Sequence, residues 1–170
     1  EPLLDPGGGG LNVSRAIKAL GGDSLALVAI GGLTGDRLVT FDLDGFRIAP
    51  IICYDVEFPE TVRACALAGA DLVVAPTALR QHWSHIAEMM IPIRALENGV
   101  FLAYANQAGT EADWEYAGLS CIIAPDGRPL ARAGDQPAVI LAELDKAEIA
   151  AARKQLAYLT DARFSVTGPV

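Results

Sequence analysis

The feature that most constrains this chain is an apolar run that ends abruptly at a cysteine. Residues 46–52 have the composition of a buried strand, Cys53 follows them, and a polar segment over 54–60 begins at once. A strand that changes into a helix start presents its thiol at the edge of a sheet, where α/β folds place reactive groups. The amides that follow can stabilise a thiolate or a developing oxyanion. A buried structural cysteine is the alternative, because free cysteines are among the most buried residues.

Beyond residue 41 the chain alternates between short apolar segments and helical ones, which predicts an α/β fold. The expected strands are 46–52, 71–75, 100–105, 118–124, 129–133 and 139–144. The expected helices are 59–67, 81–98 and 146–153, with Pro92 as a kink or a break in the second. The turn at 125–128 predicts a β-hairpin between the strands on either side of it.

Composition excludes several classes of function. The 170 residues carry a net charge of −8 and no basic run, which disfavours nucleic acid and anionic membrane surfaces as partners. No apolar stretch reaches the length of a membrane span, and no signal peptide is evident. The three cysteines are an odd and widely spaced set, so we expect no disulfide framework and a cytoplasmic location.

The first 39 residues have their own character. A glycine run at 7–10 precedes a helical pattern over 11–20, and Gly21-Gly22 ends it. Together with Asn12 and the loop Gly31-Gly32-Leu33-Thr34-Gly35-Asp36, this segment resembles the N-terminal signature of ribokinase-like (phosphofructokinase B) sugar kinases. The resemblance implies a vestigial sugar-binding role for Gly8, Gly9 and Asn12, but no catalytic Gly-Ala-Gly-Asp-type motif follows. The expected organisation is an incomplete kinase-like segment at 1–39 and a second region at 40–170.

The second region resembles the nitrilase superfamily of carbon–nitrogen hydrolases over residues 41–163. The segment 45–60, with Cys53 at its centre, is similar to the nucleophile segment of that family. The similarity continues in the family's order and spacing through Arg63, 68–71, 76–78, Trp83, 94–99, 105–109, 118–120 and 125–127. The tail at 158–163 resembles the aliphatic amidase and carbamoyl-amide hydrolase branches.

This resemblance implies a partial αββα sandwich, a mixed sheet with helices packed on one face. It makes Cys53 the nucleophile that forms a thioester and the backbone N–H of Tyr54 an oxyanion donor. The family's general-base glutamate and oxyanion lysine belong to the N-terminal half of a complete member, which we expect this chain to lack. Lys18 is the single lysine before Cys53 and lies in the kinase-like segment. Glu57 and Glu60 suit a turn and a helix start, where acidic residues complement the helix dipole.

Other polar residues are weaker candidates. Thr77 and Asn106 each end a predicted strand and could line a substrate pocket, although Asn106 could equally satisfy a turn. Arg94 and Glu97, three residues apart on one helix, are expected to pair and to brace the sheet. His82 and His85 lack the spacing of a metal site, so we expect no metal and no cofactor.

The sequence therefore predicts a protein whose ancestry is hydrolysis of a small amide, nitrile or N-carbamoyl amine through Cys53. Whether this chain alone is an enzyme stays open. The alternatives are a catalytically dead fusion or truncation product that only folds or associates, and a residual sugar-kinase-like binding module. A homo-oligomer is expected, because an uncovered apolar sheet face favours association.

Overall fold

A computed structural model of the protein describes residues 38–163. The proposed kinase-like signature, with Gly8, Gly9, Asn12 and Lys18, lies outside these described residues. The strands are β1 (Phe41–Leu43), β2 (Phe46–Pro50), β3 (Leu72–Thr77), β4 (Phe101–Asn106), β5 (Ala108–Glu111), β6 (Trp114–Ala117), β7 (Cys121–Ile123) and β8 (Pro129–Arg132). The α-helices are α1 (Pro59–Leu67), α2 (Ile91–Asn98), α3 (Lys146–Gln155) and α4 (Tyr158–Asp161). Two 3₁₀ turns at Cys53–Glu57 and Gln81–Trp83 and a π-helical turn at Ile86–Met90 complete the list.

Six of the strands form one mixed sheet in the order β1-β2-β3-β4-β7-β8. The three strands β2, β3 and β4 run parallel, and the outer pairings are antiparallel. A separate two-stranded sheet joins β5 and β6. This mixed sheet with its packed helices confirms the predicted α/β fold class.

The main core lies between one face of the sheet and the helices α1 and α2. Alternate residues of the central strands point into it, among them Val73, Ala75, Leu102 and Tyr104, all nearly or fully buried. A smaller cluster at the opposite face joins Phe101 to Ile149 of α3. The strands are apolar on both faces, as expected for a sheet that is buried on both of its faces.

Helix boundaries follow the sequence signals closely. Pro59 occupies the first turn of α1, where its missing N–H costs nothing. Pro92 likewise lies in the first turn of α2, so the expected 81–98 helix is broken into two turns and one helix. Gly99 ends α2 with φ +55°, a conformation that favours glycine.

Two expectations were wrong. The segment 139–144 forms no strand, and Val139 and Leu141 are 88% and 85% exposed, because no described strand lies beside them to pair with. The turn expected after Asn106 instead continues into the β5–β6 hairpin. Elsewhere the strand ends shift by one to three residues, and β3 includes Pro76. No helix within 38–163 is long and apolar enough to cross a membrane.

Candidate active site

Cys53 begins the 3₁₀ turn that directly follows β2. Its backbone adopts φ +46°, a left-handed conformation that is costly for a residue with a side chain. Its side chain is partly exposed, whereas Cys65 and Cys121 are fully buried. Burial raises the pKa of each of those two thiols to about 11, so both stay protonated at neutral pH. Of the three cysteines, Cys53 alone combines exposure with a strained strand-to-turn position.

Two neighbours hold the turn in this conformation. The Asp55 carboxylate accepts the backbone N–H of Ile52 at 3.0 Å, while the Asp55 N–H donates to the Ile52 carbonyl at 2.9 Å. From α2, the Arg94 guanidinium donates to the carbonyls of Val56 at 3.1 Å and Glu57 at 2.5 Å. Sequence reasoning expected Arg94 to brace the sheet, and it missed both this clamp and the Asp55 cap.

The predicted site residues lie along one edge of the sheet. Cys53, Thr77 and Asn106 follow or end β2, β3 and β4, which are parallel neighbours. Thr77 and Asn106 are paired in register, and the Ile51 N–H donates to the Val74 carbonyl at 2.9 Å, so the path to Cys53 continues beside β3. The carboxyl ends of parallel strands are the usual place for a binding site in an open α/β sheet.

Both polar atoms of the Asn106 side chain bond to backbone groups. Its Oδ1 accepts the Leu79 N–H at 2.7 Å, and its Nδ2 donates to the Gly118 carbonyl at 2.7 Å. The Asn106 N–H also donates to Ser120 Oγ at 2.9 Å. These bonds fix the loops around the strand end, which is the turn-satisfying role that the sequence left open. Asn106 still lines a cavity of about 210 Å³, together with Gly118, Ser120 and Gln136.

Tyr54 and Thr77 differ in exposure. The Tyr54 ring is 62% exposed and stacks edge-on against Phe58, with ring centroids 4.9 Å apart. Thr77 is partly buried, and its hydroxyl donates to the Ala75 carbonyl at 3.3 Å. His82 and His85 are both exposed and lie against the Trp83 ring at 5.0 and 5.7 Å.

Glu57 is a partly buried carboxylate at the end of the turn that begins at Cys53. Burial raises the pKa of the Glu57 carboxyl, and the positive charge of Arg94 and the His85 side chain partly offset this rise. A carboxyl held toward its neutral form is a common property of acid–base groups, although structural burial has the same effect.

Neither lysine of the part of the chain that the structure describes lies at the carboxyl ends of the parallel strands. The two lysines of the described residues, Lys146 and Lys154, both lie on α3. Lys146 Nζ contacts Asp71 Oδ2 at 2.7 Å and the Gly45 carbonyl at 2.8 Å, just before β3 and β2 begin. It therefore lies at the amino end of the parallel strands, opposite Cys53.

Comparison with known proteins identifies the family of this chain. The family model "Carbon-nitrogen hydrolase" matches residues 3–154. A protein described as "Hydrolase in pqqF 5'region" from Pseudomonas protegens is 43% identical over 128 residues, 75% of this chain and 45% of that protein. The 2-oxoglutaramate amidase of Bacillus subtilis is 36% identical over 127 residues, 72% of this chain and 48% of the amidase.

A solved structure shows the same fold. An amidase from Nesterenkonia sp. AN1, a double mutant in complex with acrylamide, is 37% identical and superposes with a TM-score of 0.67. The match covers 75% of this chain and 45% of that amidase. The chain thus spans about half the length of the relatives it matches. These matches, on the fold and site described above, show that the chain belongs to the carbon–nitrogen hydrolase family, within the nitrilase superfamily.

Proposed function

We propose that Cys53 is the nucleophile for hydrolysis of the carbon–nitrogen bond of a small amide. The observation that carries this proposal is the strained, partly exposed position of Cys53 at the carboxyl ends of the parallel strands. Support also comes from relatives whose names describe amidases. For the Nesterenkonia amidase, solved structures show butyramide bound and the acetamide moiety of fluoroacetamide attached at the active-site cysteine.

The chemistry proceeds in two steps. The Cys53 thiolate attacks the amide carbon, and the electron pair of the C=O bond moves to oxygen, toward the N–H of Tyr54. Collapse of this intermediate breaks the C–N bond, and the nitrogen takes up the proton that a general base removed from the Cys53 thiol and leaves as ammonia. Water then attacks the thioester and gives a proton to the same base. The base passes this proton to the departing sulfur, which releases the carboxylic acid and the free thiol. Thr77 and Asn106 are proposed to border the substrate at the adjacent strand ends.

The family's base and cation are the open question for this chain. Both described lysines lie on α3, and Lys146 is bound at the amino ends of the parallel strands, away from Cys53. Losing one oxyanion donor typically lowers kcat by about 100- to 1,000-fold. Hydrolysis therefore requires residues outside 38–163 or another chain to supply these groups, and without them the chain only folds or associates.

Ammonia release decides between the two. A panel of short aliphatic amides, nitriles and N-carbamoyl amines is incubated with the chain and with its Cys53→Ala variant, using Cys65→Ala as the matched control. We expect release that Cys65→Ala retains and Cys53→Ala abolishes. Equal release from folded wild type and Cys53→Ala would contradict hydrolysis by this chain and leave only the ancestry.

The remaining sequence predictions stay proposals. We propose a boundary near residue 40 between a kinase-like segment and the hydrolase region. A thermal shift that depends on nucleotide or sugar would support the kinase-like binding module. The absence of any shift would exclude it. A cytoplasmic homo-oligomer is proposed too. Within 38–163, Val74, Ala103 and Ile122 on the second face of the sheet are apolar and only partly buried, so a second copy could cover them. Sedimentation at several concentrations tests the oligomer.

A further inference from the structure

Tyr104 is a buried polar side chain that the proposed chemistry has not used. It lies in the middle of β4, is 2% exposed, and faces the main core. Its hydroxyl has no hydrogen-bond partner of good geometry among the residues that the structure describes. An unmet buried donor destabilises the folded state, so a hydroxyl kept in such a place needs an explanation.

The position of Tyr104 relates it to the candidate site. It pairs in register with Ala75 of β3, two residues before Asn106, while Ala75 lies two residues before Thr77. Side chains two apart in a strand share a face, so Tyr104 lies on the same side of the sheet as Thr77. The 3₁₀ turn that begins at Cys53 packs against β3.

Electrostatics agree with this placement. Burial is the main cause that raises the pKa of the Tyr104 hydroxyl, and the Thr77 hydroxyl partly offsets it. The charges of Cys53, Cys121 and Glu57 add smaller increases. The groups that act on the Tyr104 hydroxyl come from three elements. These are Cys53 and Glu57 from the turn, Thr77 from β3, and Cys121 from β7. Arg94 and His85 act on Glu57 from α2 and the preceding segment. At neutral pH Tyr104 is a neutral donor.

We propose that the hydroxyl of Tyr104 is the hydrogen-bond donor that stabilises the ionised sulfur of Cys53. A neutral thiol is a weak acceptor and a thiolate is a strong one, so the proposal requires the hydroxyl and the sulfur to approach to hydrogen-bond distance when the sulfur ionises. In a site whose described residues bring no lysine to this edge, a buried neutral donor would favour the nucleophilic form. The inference rests on the proposed role of Cys53, but its test needs no turnover.

The test is the rate at which iodoacetamide alkylates Cys53 in the full chain, followed by peptide mass from neutral to alkaline pH. Tyr104→Phe removes only the hydroxyl, and Tyr116→Phe on β6 is the matched control. We expect Tyr104→Phe to slow alkylation about 3- to 10-fold at neutral pH and to leave the alkaline plateau unchanged. Tyr116→Phe should behave as wild type.

Two results would overturn the inference: an unchanged neutral rate in Tyr104→Phe, or the same slowing at every pH, which would mean altered access. Thr77→Val decides the case if Tyr104→Phe does not fold. It removes the other hydroxyl near the turn and leaves Tyr104 in place, so alkylation should stay equal, whereas clear slowing at neutral pH would assign the donor role to Thr77. Because ammonia release plays no part in these measurements, they and the hydrolysis assay fail independently.

Discussion

The Arg94 guanidinium donates to the carbonyl oxygen of Glu57 at 2.5 Å and so fixes the end of the turn that begins at Cys53. Arg94 is nearly buried, and Glu97 at 3.0 Å compensates its charge. Three of its donors thus serve three different acceptors on two elements. An arginine of the neighbouring helix α2 therefore holds the end of the turn that carries the strained thiol position.

Arg94→Lys should therefore destabilise the protein. Lysine keeps the charge but lacks the planar set of donors, so the Val56 or Glu57 carbonyl loses its partner. We expect a loss of about 2–3 kcal/mol in the free energy of unfolding, measured in urea. Arg128→Lys is the control, because that arginine is 54% exposed and its ion pairs lie at the surface. Equal stability of the two variants would show that the clamp contributes nothing.

Asn106→Asp tests whether this residue holds loops together. Aspartate keeps the acceptor for the Leu79 N–H but cannot donate to the Gly118 carbonyl. We expect a loss of about 1–3 kcal/mol in unfolding free energy. Gln107→Ala, which removes an exposed hydrogen bond to Glu111, should change it little. If Asn106→Asp unfolds as wild type does, its amide is free to serve a substrate instead.

Glu57→Gln should change the pH dependence of stability. The pKa of Glu57 is raised in the folded state, chiefly by burial, so ionisation opposes folding once the pH exceeds the usual glutamate range. Glutamine removes this penalty. The thermal midpoint of the variant should therefore exceed that of wild type at neutral pH, and the difference should vanish at acidic pH, where both folded and unfolded Glu57 are protonated.

The control for this experiment is Glu60→Gln, at an exposed position in the first turn of α1. This variant separates the effect of the partly buried Glu57 carboxyl from the effect of losing one negative charge. A Glu57→Gln difference that grows as the pH falls would give the opposite sign and contradict the account of burial.

Thiol labelling should separate the three cysteines. Cys65 and Cys121 are fully buried, and the pKa of each is raised to about 11, so both should resist a thiol reagent in the native protein. We expect one fast thiol by absorbance with Ellman's reagent, and three after denaturation. Two or three fast thiols in native protein would mean that the core around α1 and β7 opens readily.

The sequence predicted those parts of the fold that local signals determine. Pro59 and Gly69 bounded α1, Pro92 marked the break before α2, and Gly99 closed it, since each has a backbone preference of its own. The segment 139–144 misled because its composition suits a strand, whereas pairing depends on a neighbour that composition does not reveal. The β5–β6 hairpin was missed because its strands are short and polar.

The candidate site divides in the same way. Cys53 stood out because the change from apolar run to polar turn is local. The bonds of Arg94 to Val56 and Glu57 span 38 and 37 residues, and the proximity of Tyr104 to Thr77 depends on strand register. Such relationships arise only once the chain has folded, so no local pattern could indicate them.

The most direct test of the account is whether fluoroacetamide, a small amide, alkylates Cys53. In this reaction the sulfur forms a bond to the carbon that carries fluorine, and fluoride, a poor leaving group, is released. The full chain is incubated with fluoroacetamide, with and without excess butyramide, and the adduct is located by peptide mass. We predict one adduct, at Cys53, that butyramide suppresses and that is absent from Cys53→Ala. An unlabelled Cys53, or labelling that butyramide does not affect, would contradict the claim that Cys53 lies in an amide-binding site.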